Sequence, residues 1–392
     1  CPSRGDPRVH PQGSRIMLRV TLFSALLAAA FATRLENLRF RGGQQKEKVC
    51  IIGSGNWGSA IAKIVGRNVL DRDQFDDEVT MWVFQEKVDG KNLTDIINNE
   101  HENVKYLPGI KFTDNVVADP DLTHAVQGAT LLIFVLPHQF LGRICPQMTG
   151  MAKGCRAVSL IKGIEFEDGG PVLISNLIKE NMNGMDVSVL MGANVANEVA
   201  QDEFCESTVG YKNKANGDVF QKLFDCPTFR IGTINDVAGV ELCGALKNIV
   251  ALGAGFCDGL GLGGNTKAAI IRVGLKEMQK FCEAFYGDRK IKQDTFLESC
   301  GLADLVTTCF GGRNRKCADI FAKCQKEGTP KTWDVIEAEE LNGQKLQGTG
   351  TAKDVMTCIK AAGKEKEFPL MCAIHRIAFE GEACESIIKI NN

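Results

Sequence analysis

Histidine is scarce in this sequence: there are five in 392 residues, at positions 10, 101, 124, 138 and 375. None has the spacing that would set two imidazoles on one metal ion, so no catalytic metal is expected. Cysteine is plentiful at 16, yet C-x-x-C is missing and the closest pair, Cys317 and Cys324, is seven residues apart. That excludes a zinc knuckle or a dithiol redox motif and leaves scattered reduced thiols, with disulfides as the alternative. An excess of one charge is also missing, since 46 basic and 48 acidic residues give a net charge of -2 and no long basic run follows residue 48. Nucleic acid is therefore not an expected partner.

The apolar run nearest the start, Thr21 to Ala32, is shorter than the ~20 residues that span a bilayer, so no stable membrane insertion is expected. It follows Met17-Leu-Arg-Val and precedes Thr33 to Gly43, a basic stretch in which Glu36 is the one acid. An apolar segment behind an arginine, then a basic segment poor in acids, is the pattern of a targeting leader, and it resembles the signal-plus-transit leaders of algae with secondary plastids. The alternative is a leader that is not translated, ahead of a cytosolic protein. The protein is soluble on both readings, in an organelle stroma or in the cytosol, and residues 1–45 stay outside the fold.

What remains is long enough for about two or three domains. Lys48-Val-Cys-Ile-Ile runs directly into Gly53-Ser54-Gly55-Asn56-Trp57-Gly58 and then into a pattern with Ile61, Ile64 and Val65 on one helical face. A buried strand, G-x-G-x-x-G and an amphipathic helix together form a dinucleotide-binding crossover. Gly53 makes the tight turn, Gly55 lets backbone amides approach a pyrophosphate, and Gly58 lets helix and strand pack closely. The second strand, read as Val79 to Phe84, ends in Gln85-Glu86 with no arginine for a 2′-phosphate, which favours NAD over NADP. Glu86 is further from Gly53 than the ~20 residues of the simple motif, so the ribose-binding residue stays open.

More apolar runs follow at Thr130–Leu136, Ala157–Ile161, Val187–Met191, Ser207–Gly210 and Phe229–Ile231, with helical patterns such as Val172–Asn181 between several of them. Strands alternating with helices indicate an α/β fold with a doubly wound, Rossmann-type sheet. Ligands lie beyond the carboxyl ends of such strands. That puts Pro137–Phe140, Lys162 and Met191–Ala196 beside the cofactor, with His138 read as a hydrogen-bonded loop residue. Near residue 235 strand patterns stop and helical ones continue to the end, so a sheet domain is expected over 46–235 and an all-helical substrate domain over 236–392. Asn235-Asp236 caps a helix from Val237 in which only Glu241 and Lys247 are charged over the first sixteen residues. A helix so apolar is buried, and a buried lysine needs a partner and has a lowered pKa, which makes Lys247 the leading catalytic candidate. Gly253–Lys267 reads as a glycine-rich joint before a helix beginning near Thr266, or as glycines that simply permit tight packing. Further on, Asp304 stands in an apolar helix as a partner for a buried lysine. Thr307-Thr308 and Gly311-Gly312-Arg313-Asn314-Arg315 follow it, with a guanidinium fork and exposed amides suited to a phosphate.

These blocks carry a resemblance. Gly53–Gly58, Phe134-Val-Leu-Pro-His-Gln-Phe140, Leu160-Ile-Lys-Gly163, Met191-Gly-Ala-Asn194, Cys243-Gly-Ala-Leu-Lys-Asn248, Gly312–Arg315 and Leu341-Asn-Gly-Gln-Lys-Leu-Gln-Gly348 stand in order. In them the chain resembles the soluble, NAD-dependent glycerol-3-phosphate dehydrogenases from Lys48 to Ile390. The resemblance implies that Lys247 donates the proton to a carbonyl and that Lys162, Asn248, Asp304 and Thr308 line the reaction centre. It implies that Arg313 and Asn314 hold the substrate phosphate, with Arg313 and Lys162 also near the cofactor. Phe84, Phe140, Ala196, Lys345 and Gln347 would contact NAD or close over it, and the assembly would be a homodimer. The reaction implied is reversible reduction of dihydroxyacetone phosphate to sn-glycerol 3-phosphate, a link from glycolysis to glycerolipids. Gln85 in place of an acid, and Thr349-Gly350 in place of Pro-Glu, depart from the family pattern. A related two-domain hydroxyacid or sugar-acid dehydrogenase, or a catalytically silent NAD(H) sensor, are the competing readings.

Overall fold

A computed structural model describes residues 46–167, 170–341 and 343–389; the leader lies outside the described residues. Its centre is an eight-stranded sheet of β1 (Glu47–Ile52), β2 (Phe75–Trp82), β3 (Val116–Asp119), β4 (Leu131–Phe134), β5 (Arg156–Ser159), β6 (Val187–Met191), β7 (Cys205–Gly210) and β8 (Phe229–Ile234). The spatial order is β8-β7-β6-β5-β4-β1-β2-β3. From β3 to β6 every pairing is parallel, which is the doubly wound arrangement expected from the sequence. The inner strands are apolar on both faces because helices cover both: Val49–Ile52 and Leu131–Phe134 are fully buried. The register aligns Ile52 with Trp82 and Phe134, and Phe134 with Ser159. Gly53, Val83, Val135 and Leu160 therefore leave the sheet along one edge.

Two strand ends differ from the expectation. β2 begins at Phe75, whose buried ring lies before half-buried Asp76 and exposed Asp77 and Glu78, three acids that hide the strand from a hydropathy reading. Val172 and Leu173 belong to a hairpin strand, Gly170–Leu173, paired with Ile164–Glu167, so the helix that follows starts only at Ile174.

Helices of eight or more residues are α1 (Asn56–Leu70), α2 (Leu93–Glu100), α3 (Ile174–Asn181) and α4 (Lys214–Phe224) among the strands. After β8 come α5 (Val237–Leu260), α6 (Gly264–Tyr286), α7 (Asp304–Gly311), α8 (Arg313–Lys326), α9 (Trp333–Leu341), α10 (Gln347–Ala361) and α11 (Pro369–Phe379). β7 runs antiparallel to β6, and β8 is parallel to β7, so β8 ends at the sheet edge opposite Gly53. Asp236 caps α5 there by accepting from the Gly239 N–H at 2.8 Å. α5 then crosses back over the sheet. Near its start the backbone of Asp236 is so close to Gly210 that a β-carbon on Gly210 would stand 2.8 Å from the Asp236 carbonyl oxygen. Two turns later Gly244 lies on Met191, at the carboxyl end of β6. The reversal of β7 is thus what returns Lys247 to the ligand edge.

Every residue of α5 from Ala238 to Cys257 is buried. It is long and apolar enough to cross a membrane, yet it forms the axis around which α6, α7, α8, α10 and α11 pack. Glu241 is reconciled with this burial by accepting from the N–H and hydroxyl of Ser175 in the first turn of α3, and burial pushes its carboxyl up to about 7. Of the two readings of the glycine-rich stretch, tight packing holds for most of it and a joint for a shorter part than expected. α5 continues unbroken through Gly253, Gly255 and Gly259 to Leu260, and only Gly261–Gly263 form the turn. β-Carbons on Gly255 and Gly259 would come within 2.3 Å of the Arg315 and Asp319 carbonyl oxygens, so these glycines let the backbone of α8 lie against α5. Every cysteine from Cys50 onward is a free thiol.

Candidate active site

The glycine loop has the form that the motif predicts. Gly53 is at φ +120°, and a β-carbon there would stand 3.0 Å from Val135 O; one on Gly58 would stand 2.4 Å from Gly53 O. Gly55 has open space where a β-carbon would be, at the N-cap of α1 with no side chain capping the helix. The first-turn N–H groups of α1 are thus directed at an anion in the cleft, and the residues fit a dinucleotide pyrophosphate. The loop is held by a residue the sequence reading missed. Fully buried Asn103 donates to Ser54 O at 2.8 Å and to Ser59 Oγ at 2.9 Å. Asn56 donates to Tyr106 O at 2.8 Å and to Asn197 Oδ1 at 2.9 Å, fastening the loop to its neighbours on both sides.

Beyond the strand ends lie two connected hollows. One, of about 460 Å³, is walled by Gly53–Gly55, by Phe84 and Phe140, and by Glu86, Tyr106 and Arg143. Phe84 and Phe140 are 62% and 43% exposed, unusual for phenylalanine and suited to sandwiching a flat ring. Both Glu86 oxygens are engaged, by Lys105 at 2.6 Å and the Tyr106 hydroxyl at 2.8 Å. No arginine follows β2, as read, but Arg143 reaches the same hollow from the segment after β4. The second hollow, about 920 Å³, is lined by Asn56, Trp57, His138, Lys162, Asn194, Ala196, Arg313, Lys345 and Gln347. Trp57 packs edge-on against Phe229. Gly58 serves the turn rather than the cleft.

The charged cluster lies at the inner end. The Lys247 ammonium donates to Asp304 Oδ1, and to Thr308 Oγ1 at 2.8 Å. Asp304 stands at the start of α7, just after a π-helical turn, Ser299–Ala303, of the kind that often marks functional positions. Its other oxygen, Oδ2, is 3.3 Å from Lys162 Nζ, which also donates to Gly192 O at 3.2 Å and Asn194 Oδ1 at 3.1 Å. One buried carboxylate therefore holds two ammonium groups, one from the sheet edge and one from α5. Burial, and then the Lys162 charge, bring the Lys247 pKa down to about 8 against the opposing pull of Asp304.

Asn248 accepts at Oδ1 from Asn314 Nδ2 at 3.0 Å, and Asn314 Oδ1 accepts from the Gly348 N–H at 2.9 Å. This ties α5, α8 and α10 together beside Lys247. Arg313 is the first residue of α8 and exposed, its Nη1 donating to Gln344 Oε1 at 2.9 Å. Gln347 donates to Lys162 O at 3.0 Å. Lys345 lines the cleft, but its ammonium is turned onto Asp334 at 2.6 Å and Glu337 at 2.9 Å.

Two family models match the chain. The NAD-dependent glycerol-3-phosphate dehydrogenase N-terminus matches residues 48–217, and the corresponding C-terminus matches residues 236–389. The human cytoplasmic NAD(+) glycerol-3-phosphate dehydrogenase is 54% identical over 337 residues, covering 86% of this chain and 95% of its own. The zebrafish (Danio rerio) glycerol-3-phosphate dehydrogenase 1-like protein is 54% identical over 342 residues, with 87% and 96% covered. Among solved structures, the glycerol-3-phosphate dehydrogenase of Plasmodium falciparum superposes with a TM-score of 0.83 at 43% identity, covering 88% of this chain and 96% of the other. The Saccharomyces cerevisiae enzyme gives 0.83 at 42%, covering 88% and 99%.

Asn103 makes no contact with the cleft, and its importance is tested by removal. Asn103→Ala removes one of the two donors to Ser54 O, which keeps only the Ser59 hydroxyl at 3.2 Å, and leaves Ser59 Oγ with nothing donating to it, a loss of about 1–3 kcal/mol for buried groups. The expected result is a roughly tenfold weaker NADH affinity in a fluorescence titration. Wild-type affinity would show that the loop keeps its shape without this residue.

Proposed function

The chain belongs to the NAD-dependent glycerol-3-phosphate dehydrogenase family, and on that premise we propose that the cluster around Asp304 carries out the reduction of dihydroxyacetone phosphate to sn-glycerol 3-phosphate and its reverse. The observation that supports it most is the Lys247–Asp304–Lys162 arrangement at the inner end of a dinucleotide cleft. NADH supplies a hydride to C2. The chain's residues supply charge and geometry. Lys247, as ammonium, faces the carbonyl oxygen as negative charge develops there and gives it a proton. Asp304 and Thr308 aim that ammonium, Lys162 adds a second positive charge, and Asn248 fixes the neighbouring helix contacts. Arg313 and Asn314, at the N-terminus of α8, hold the phosphate with a guanidinium fork and helix amides, so that remote binding energy positions C2. Phe84 and Phe140 hold the adenine end, and Ala196, Lys345 and Gln347 border the dinucleotide. We assign residues 46–235 to cofactor binding and 236–392 to substrate binding, with the enzyme in the cytosol or an organelle stroma. The product is the three-carbon phosphate from which glycerolipids are built. For the homodimer we take the exposed side of the π-helical turn and α7, where Leu302 of the turn and Val306 and Phe310 of the helix are exposed apolar side chains, as a face on which two copies meet; a monomer in sedimentation velocity would remove it.

If Lys247 is the proton donor, Lys247→Ala keeps NADH affinity while kcat falls about 10²–10⁴-fold. The wild-type pH profile gives the same answer independently. Reduction needs the ammonium, so its kcat should fall as pH rises through about 8, and oxidation of sn-glycerol 3-phosphate, which needs the free amine, should rise through the same value. Near-normal turnover by the variant, or profiles of the opposite sign, would end the assignment.

Arg313→Lys keeps the charge and loses the bidentate geometry. Losing one charge-assisted hydrogen bond costs roughly 1.5–3 kcal/mol, or about tenfold or more in kcat/KM for dihydroxyacetone phosphate. Unphosphorylated dihydroxyacetone offers nothing to grip, and its low kcat/KM should barely change. Equal losses on both substrates would mean that Arg313 supports the fold or the cofactor instead.

A further inference from the structure

His138 belongs neither to the cluster around Asp304 nor to the glycine loop. It leaves the carboxyl end of β4 in the loop Pro137–Phe140, and it lines the dinucleotide cleft. Its ring faces the segment that carries Lys162. A β-carbon on Gly163 would stand 3.4 Å from His138 Nδ1, so the imidazole lies against that glycine. Nε2 stands 3.3 Å from Oε2 of Glu165, two residues further along the hairpin strand Ile164–Glu167. From the other side, Gln347 at the start of α10 donates to Lys162 O. Two turns along α10, Asp354 faces Glu165: burial raises the Asp354 pKa, and the Glu165 charge adds to the rise. A carboxylate placed near another carboxylate gains from a neighbour that donates or carries positive charge, and His138 is placed to be that neighbour.

The backbone of Lys162 is thus gripped between α10 and the cofactor loop. Its ammonium reaches Asp304 at 3.3 Å, near the limit of a hydrogen bond, so a shift of under an ångström in Lys162–Gly163 would detach it. We propose that His138 is a positioning residue of the reaction: through Gly163 and Glu165 it ties Lys162 to the loop on which the dinucleotide lies, so that a filled cofactor cleft and a correctly set Lys162 go together. The proposal rests on the reading of Lys162 and Asp304 as members of the reaction centre. It touches no reacting atom itself.

The test uses the full chain in four forms beside wild type: His138→Ala, His138→Gln, Glu165→Ala and the His138→Ala, Glu165→Ala double variant. Misplacing a group of the reaction centre costs tenfold or more, so His138→Ala should lower kcat/KM for dihydroxyacetone phosphate about tenfold while the NADH dissociation constant stays within about twofold. His138→Gln, whose amide nitrogen reaches where Nε2 was, should recover most of the loss. Glu165→Ala should match His138→Ala, and the double variant should be no worse than either single one, because both cut the same tie. Glu165 is on the surface side, so its variant keeps the test alive if a histidine variant fails to fold. NADH affinity falling in step with turnover would make His138 a cofactor contact and overturn the proposal. So would a glutamine no better than alanine, or losses that add in the double variant. A wild-type chain that does not reduce dihydroxyacetone phosphate would instead strike the reading of the site as a whole.

Discussion

The arrangement of the whole molecule can be understood from the cost of placing Lys247 in an apolar helix. An ammonium on a segment buried on every side is tolerable only if a carboxylate comes to it. Asp304 does so from α7, which must therefore lie on α5 at that level. The same carboxylate takes Lys162 from the end of β5, and this second contact fixes the helical part against the sheet edge. Three elements far apart in sequence are brought to one point by one carboxylate. The low local polarity that makes the pair costly is also what lowers the lysine pKa into a range useful for proton transfer.

What was legible in the sequence was local. Gly53, Gly55 and Gly58 could be read because a tight turn, an anion and a close helix contact each need glycine at fixed intervals, and all three geometries are found. Lys247 could be read because an isolated charge in an apolar run is itself the signal. Asn103 could not: its partners Ser54 and Ser59 are 49 and 44 residues away, and nothing around Asn103 announces a buried amide. The same holds for Arg143, which arrives in the hollow beside Phe84 and Phe140 from a different strand, and for Glu86, whose partners come from the 101–109 segment. The start of β2 was hidden by Asp76–Glu78, three acids on a strand whose exposed stretch follows solvent rather than core. Gly255 and Gly259 left a joint and a tight packing contact both open, because glycine serves either; the backbone of α8 decides for the contact.

The site divides its work between rigid and adjustable parts. The glycine loop, Asn103 and the Asn248–Asn314–Gly348 chain are hydrogen-bonded on several sides and hold fixed positions. Arg313, Gln344 and Lys345 are exposed and make contacts with side chains rather than backbone, so a ligand can exchange those partners at little cost. The side chains at the mouth of the cleft are thus free to rearrange, while the Lys247–Asp304 pair at its floor is not.

The burial of α5 also bears on how the protein is made. This helix is synthesised after the sheet but before α6 to α11, the helices that enclose it. For that interval a 24-residue segment with the length and apolarity of a membrane span has only the sheet to lie on. Glu241 and Lys247 then have their first partner, Ser175, already synthesised and their second, Asp304, still to come. With only Ser175 and the sheet to hold it at that stage, α5 has its apolar surface least covered between the appearance of Leu260 and that of α8, and transiently exposed apolar surface of this kind is prone to aggregate. A chaperone acting on this chain would find its natural target there.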